Sequence, residues 1–265
     1  MRTTELAYWI TAREEMRKHK EAGLPFPHHA DPLMANHRYT NVRREDDRTT
    51  RWIADHWRTP HHRSEILTRA MCLARMVNYI PTLEEVGYPE PWDSEYIAET
   101  LYDRALAGYK VWSSAYMITT CGKKMDKVIY VVDHVCSNVP EVTACPTLVL
   151  AYKKLREVDG LGSFLAAQII ADLKNTPGNS LSEAPDWHSW SAPGPGSLRG
   201  LTALYGYPVT EATYQPHIEK AWQEVKPRLS KDLYDLSLQD FQNCLCEFSK
   251  YTRGSFKSNY TGKGN

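Results

Sequence analysis

Apolar positions recur at helical spacing along most of the chain, and the breaks between them are rich in Pro, Gly and Ser. Residues 3–22 read as a charged helix, stopped by Pro25, Pro27 and Pro32. Residues 41–58 continue the pattern, with Val42, Thr49, Ile53 and Trp57 on one face and Arg44, Asp47, Arg48 and Arg51 on the other. A third helix is predicted over 64–79, where Ile66, Leu67, Ala70, Leu73, Ala74 and Val77 line up, and further helices over 94–106 and 123–136. Periodicity alone does not separate helix from strand in the short β-branched run 128–132, and helix is preferred there. Helices over 218–225 and 237–251 complete a mostly α fold.

Residues 151–173 hold a helix, a Gly160-Leu161-Gly162 turn and a second helix rich in small residues. Leu148, Tyr152, Leu155 and Val158 mark the packed face of the first helix and leave Lys153, Lys154 and Arg156 outside. Two glycines remove the Cβ atoms that would hold a phosphate away, and the amides that start the second helix at Ser163 point outward with a partial positive charge. Gly160, Gly162 and Ser163 are therefore expected to meet a DNA backbone, while Ala166, Ala167 and Ala171 let the helices approach.

Composition narrows the function. Thirty-two basic and 32 acidic residues cancel, so any nucleic-acid contact is local. Residues 38–69 supply a local excess, with eight arginines, no lysine and five acids. Arginine suits bidentate phosphate contact. The six cysteines show no C-x-x-C spacing, as expected of reduced thiols rather than a zinc site. The charged N-terminus lacks the apolar core of a secretory signal, and no run reaches the roughly 20 apolar residues of a membrane span, so a cytoplasmic protein is expected.

Three clusters are candidates for chemistry. On a helix, Arg44, Asp47, Arg48 and Arg51 recur every three or four residues and would grip an anion, although an ion-paired surface has the same pattern. The loop 175–200 ends in Gly194-Pro195-Gly196-Ser197-Leu198-Arg199-Gly200-Leu201, where Gly194 and Gly196 permit close approach and Ser197 and Arg199 donate to phosphate; Asp186 before it is a candidate base, and plain turn is the alternative. Near the C-terminus Asn243, Glu247 and Lys250 share a helical side. The pairs His28-His29 and His61-His62 lack the spacing of metal ligands, and no metal site is assigned. Residues 254–265 read as a polar tail.

The ordered set of motifs, N-x-x-R-E-x-D-R-x-T-x-W from Asn41, G-P-G-S-x-R-G-L from Gly194 and L-C-E-F-x-K from Leu245, resembles the alpha-glutamyl/putrescinyl thymine pyrophosphorylase family of phage amino acid:DNA transferases. The resemblance implies a two-lobed helical fold similar to the helix-hairpin-helix DNA glycosylases, formed as a single domain over 1–265. It also implies a phage protein of the host cytoplasm that displaces pyrophosphate from 5-pyrophosphoryloxymethyl-deoxyuridine in DNA with an amino acid or polyamine. On that reading Arg44, Arg48 and Arg199 stabilise the leaving group, with or without Mg²⁺, and Asp47, Asp186 or Glu247 takes a proton. Asn41, Arg51, Gly194, Gly196, Ser197, Asn243 and Lys250 are then substrate contacts. Two alternatives stay open: a monofunctional DNA glycosylase and a DNA-binding module without activity. Glycosylase-lyases carry a Lys four residues beyond the second hairpin glycine, where this chain has Ala166, which disfavours the lyase.

Overall fold

A computed structural model describes residues 2–35, 39–116 and 118–253, and among them there are helices and turns but no strand. The polar tail over 254–265 lies outside the described residues. In chain order the longer helices are α1 (Thr3–Glu21), α2 (Arg48–Ile53), α3 (Leu67–Val77), α4 (Ile80–Val86), α5 (Ser94–Leu106), α6 (Leu148–Arg156), α7 (Ser163–Lys174), α8 (Pro195–Tyr205), α9 (Tyr214–Val225) and α10 (Leu238–Tyr251). The chain divides into two compact units, Met1–Asp47 with His188–Asn265, and Arg48–Trp187.

The first unit packs α1, α8, α9 and α10 around Leu6, Trp9, Ile10, Leu201, Leu204, Ile218, Phe241, Leu245 and Phe248, all buried. Trp9 lies 5.7 to 5.9 Å from the rings of Tyr39, Phe248 and Tyr251. α10 begins at a capping box, with Ser237 accepting from the Asp240 amide and the Asp240 carboxylate accepting from Ser237. α8 and α10 make the closest helix pair of the unit, because Gly196 and Gly200 leave room for the α10 backbone.

In the second unit α3 is buried almost all round, which makes it the central helix, and α7 lies along it. An ion pair joins the two: Arg75 donates from Nε at 2.5 Å and from Nη2 to the Asp172 carboxylate, with both residues essentially inaccessible. Arg75 also reaches Thr50 at 3.1 Å, and Arg58 donates to the Asp172 carbonyl at 2.9 Å. The run 128–132 is helical, though not regular α: a short turn at Lys127–Ile129 widens into a π-helix over Tyr130–Val135. α2 likewise continues as π-helix through Ala54–Arg58.

Several predicted elements change. The helix expected over 123–136 starts only at Lys127, that over 64–79 spans Leu67–Val77, that over 218–225 starts at Tyr214, and α4 is not among the expected helices. Helix does not extend over 41–47, where only Arg44–Asp46 form a 3₁₀ turn between extended neighbours. The expected loop 175–200 contains a 3₁₀ turn at Ser180–Glu183 and gives way to α8 at Pro195. All six cysteines are free thiols. Among the described residues no helix is long and apolar enough to cross a membrane.

Candidate functional site

One local and one long-range hydrogen bond keep the Asn41 motif out of a helix. The Asn41 side chain donates to the Asp46 carbonyl at 2.7 Å, and Asp240 of α10 accepts from the Arg44 amide at 3.3 Å. Both bonds compete with a helical ladder, so the expected single face of Arg44, Asp47, Arg48 and Arg51 does not form. Asn41, Arg44 and Asp47 belong to the first unit; Arg48 and Arg51 are exposed on α2 of the second.

What fixes this segment is Arg13, a residue the sequence reading passed over. It falls on the packed face of α1 with Leu6, Trp9 and Ile10, and that position is the signal that marks it. Its buried guanidinium lies 4.3 Å over the Trp9 ring and donates to the Thr40 carbonyl at 3.2 Å, the Thr40 hydroxyl at 3.0 Å and the Asn41 carbonyl at 3.1 Å. Asn243 of α10 donates to the same Asn41 carbonyl at 3.3 Å. Asn41 and Asn243, expected as substrate contacts, thus brace the segment.

The Gly194 motif is a helix start, not a ligand loop. Gly194 is the N-cap and Pro195 the first helical residue, which suits a ring with fixed φ and no N–H. Ser197 is fully buried; its hydroxyl donates to the Gly194 carbonyl at 3.0 Å and accepts from the Gly194 amide at 3.2 Å, so it caps α8 and does not face a phosphate. A Cβ on Gly196 would fall 2.1 Å from the Cys246 sulfur, so this glycine admits α10 and not a ligand. Gly194 has only ordinary neighbours, the nearest being the Gln242 amide nitrogen at 3.5 Å.

Arg199 remains exposed one turn into α8. Across from it, Glu247 is buried and pairs with the half-exposed Lys250 on the same helix. Burial pushes the Cys246 thiol up, Glu247 adds to that, and Lys250, Arg199 and Arg13 oppose it. Glu247 and Lys250 are in direct contact, whereas Arg199 and Arg13 bear on Cys246 through their charge. Burial also pushes the Cys244 thiol up, to about 11, so neither thiol is a ready nucleophile.

Asp186, the candidate base, caps α6: its two oxygens accept from the Leu148 and Val149 amides at 2.8 and 3.0 Å. In the hairpin, Gly160 has φ of +97°, and a Cβ there would meet the Tyr130 hydroxyl at 2.6 Å, so interior packing rather than phosphate access requires this glycine. Gly162 opens onto free space and is the N-cap of α7, with no side chain capping the helix and Ser163 next in line. Arg156 braces the turn by donating to the Leu161 carbonyl at 2.6 Å, and Lys123 and His134 hold Asp159 at 2.8 and 3.0 Å. These interactions depress the Asp159 carboxyl below its ordinary range. An open recess runs along Arg156 to Gly162 and is closed on one side by Cys121.

His61 stacks on Tyr88 at 3.7 Å, and His62 bonds the Thr59 carbonyl. Among the described residues no three His, Cys, Asp or Glu side chains are grouped to hold a metal.

A family model described as the helical domain of 5-hmdU DNA kinase matches residues 2–260. The chain belongs to this family. No curated protein and no solved structure matches it. The 5-hmdU DNA kinase helical domain match covers both units, so the Asn41, hairpin, Gly194 and Leu245 segments all lie within one family block. It joins the chain to enzymatic modification of a thymine-derived base in DNA and to an all-helical fold. The family's printed name is that of a kinase, not of the pyrophosphorylase the motifs resemble.

Proposed function

We propose that the protein is a hypermodification transferase, which replaces pyrophosphate on 5-pyrophosphoryloxymethyl-deoxyuridine in DNA with an amino acid or polyamine. The amine nitrogen bonds to the methylene carbon as the carbon–oxygen bond to pyrophosphate breaks. The electron pair leaves on the pyrophosphate oxygen, and the ammonium proton passes to a carboxylate. Within the first unit Arg199, Arg44 and Lys250 would stabilise the departing charge, and Glu247 would take the proton, with Asp47 as the alternative. Asp186 is withdrawn from this role because it caps a helix. Arg48 and Arg51 on α2, and the hairpin through Gly162 and Ser163, would contact the DNA backbone.

The observation that carries the reading is the buried Glu247 paired with Lys250, in a chain whose family name ties it to 5-hydroxymethyldeoxyuridine in DNA. That name by itself favours a second reading, phosphorylation of 5-hydroxymethyluracil. The chain contains no G-x-x-x-x-G-K-[S/T] loop, so a phosphoryl donor would have to be held by other means.

One assay separates the readings. The protein is incubated with pyrophosphoryloxymethyl-uracil DNA and a panel of amines, and in parallel with hydroxymethyluracil DNA and ATP, after which the nucleosides are digested and weighed. An amine-bearing nucleoside with released pyrophosphate is expected. A phosphorylated nucleoside from the ATP arm would replace the proposal with the kinase, free base with abasic sites would replace it with a glycosylase, and unchanged nucleosides across both arms would leave a DNA-binding module.

A further inference from the structure

The hairpin carries an aromatic side chain where a DNA contact has most use for one. Phe164 is the second residue of α7 and is 48% exposed, an unusual setting for Phe beside so polar a turn. Side chains in a helix lean toward its N-terminus, so Phe164 projects past the end of α7 in the direction in which the amides of the uncapped first turn point.

The ring is also prevented from folding back. Tyr116 meets it edge-on, with centroids 4.9 Å apart and planes at 87°, and the Tyr116 hydroxyl donates at 3.1 Å to Gln168, one turn further along α7. Phe164 is thus a supported shelf. The charge of the hairpin leaves a basic excess: Lys153, Lys154 and Arg156 are exposed on α6, Arg156 also bonding the Leu161 carbonyl, against the exposed Glu157 and an Asp159 already held by Lys123 and His134.

We propose that Phe164 is a base-contacting wedge: with a backbone phosphate seated before the Gly162–Leu165 amides, its ring packs against a nucleobase and opens the adjoining step. The proposal rests on the reading that the protein acts on DNA. It assigns the hairpin more than backbone grip, because a phosphate contact carries no information about base stacking whereas an inserted ring does.

The test uses a short duplex containing 5-hydroxymethyluracil and a 2-aminopurine reporter, titrated with wild type, Phe164→Ala and Phe164→Leu. Wild type should brighten the reporter on binding. Phe164→Ala should lose the brightening and bind about tenfold more weakly, with an unchanged slope of log affinity against log salt, since no phosphate contact is removed. Phe164→Leu should keep most of the signal, and both variants should melt with wild type. Equal brightening by Phe164→Ala, or a change confined to the salt slope, would overturn the wedge while leaving DNA binding in place. Loss of a concentration-dependent dimer in Phe164→Ala would reassign the ring to self-association. Failure of wild type to bind the duplex would remove the DNA reading itself, and the wedge with it.

Discussion

Replacing Gly200 by Ala tests the packing of α8 on α10, which sets the position of the neighbouring Arg199. The added Cβ would stand 2.2 Å from the Leu245 carbonyl oxygen, 2.8 Å from its carbon and 3.0 Å from the Leu245 Cβ. Two of these three atoms are backbone in mid-helix, so no side-chain rotation relieves the clash. Ordinary contact begins at 3.4 Å, and the helices must part by about 1.2 Å to reach it. Overpacking of this kind costs roughly 1–3 kcal/mol, and a gap of about 1 Å forfeits roughly a quarter to a half of each dispersion contact around it. Those contacts include Leu201, Leu204, Phe241 and Phe248. Because the obstacle is backbone, the upper end of the overpacking range applies, about 3 kcal/mol; better helix propensity returns about 1 kcal/mol, leaving a net loss of about 2 kcal/mol. Urea unfolding followed by tryptophan fluorescence should show this as a lower midpoint at constant slope. Gly194→Ala is the control, because its neighbours lie at 3.5 and 3.8 Å, and it should lose less than about 1 kcal/mol as an N-cap change. Transfer by folded Gly200→Ala should also fall, because Arg199 moves with α8. A midpoint within about 0.5 kcal/mol of wild type, where a surface substitution would fall, would refute the reasoning.

Gly196→Ala should be destabilising alone and largely rescued by Cys246→Ala, whose sulfur is the atom 2.1 Å from the new Cβ; additive losses in a double-mutant cycle would show that the sulfur is not the obstacle. Asp186→Ala removes the acceptor for two α6 amides and should cost about 1–2 kcal/mol with turnover per folded molecule unchanged; a loss of catalysis without loss of stability would restore it as a base. Asp172→Asn leaves the Arg75 guanidinium buried against a neutral partner and should cost about 3–5 kcal/mol, read from the unfolding midpoint. Arg199→Ala, at an exposed position, should leave the melting temperature in place and slow pyrophosphate release by about 100-fold; full activity would exclude it from leaving-group stabilisation.

Helix identity was legible where a side-chain cap or a clear apolar period marks it. α5 begins and ends as its pattern predicts because Asp93 caps it, accepting from the Tyr96 amide, and α10 follows Ser237 for the same reason. The hairpin was legible too, since its glycines, its basic outer face and its small-residue helix are neighbours in the chain. The Asn41 segment misled because its spacing satisfies a helix, and only Asp240, nearly two hundred residues away, takes the Arg44 amide out of it.

The Gly194 motif shows where the division falls. Composition alone gives Gly and Pro the look of a turn, and nothing within reach of Gly196 or Gly200 in the sequence says that another helix will lie against them. Arg13 is the complementary case, a charge on an apolar face whose partners, the Thr40 and Asn41 carbonyls, exist only once α1 and that segment are packed together. The sequence by itself determined the mostly α class, the ends of helices such as α1, α5 and α10, and the residues able to carry charge, because caps, periodicity and turn chemistry act between near neighbours. Tertiary structure alone decided which glycines serve packing, which carboxylate caps a helix and which carbonyls hold the Arg13 guanidinium, because those roles are set by atoms brought together across the length of the chain.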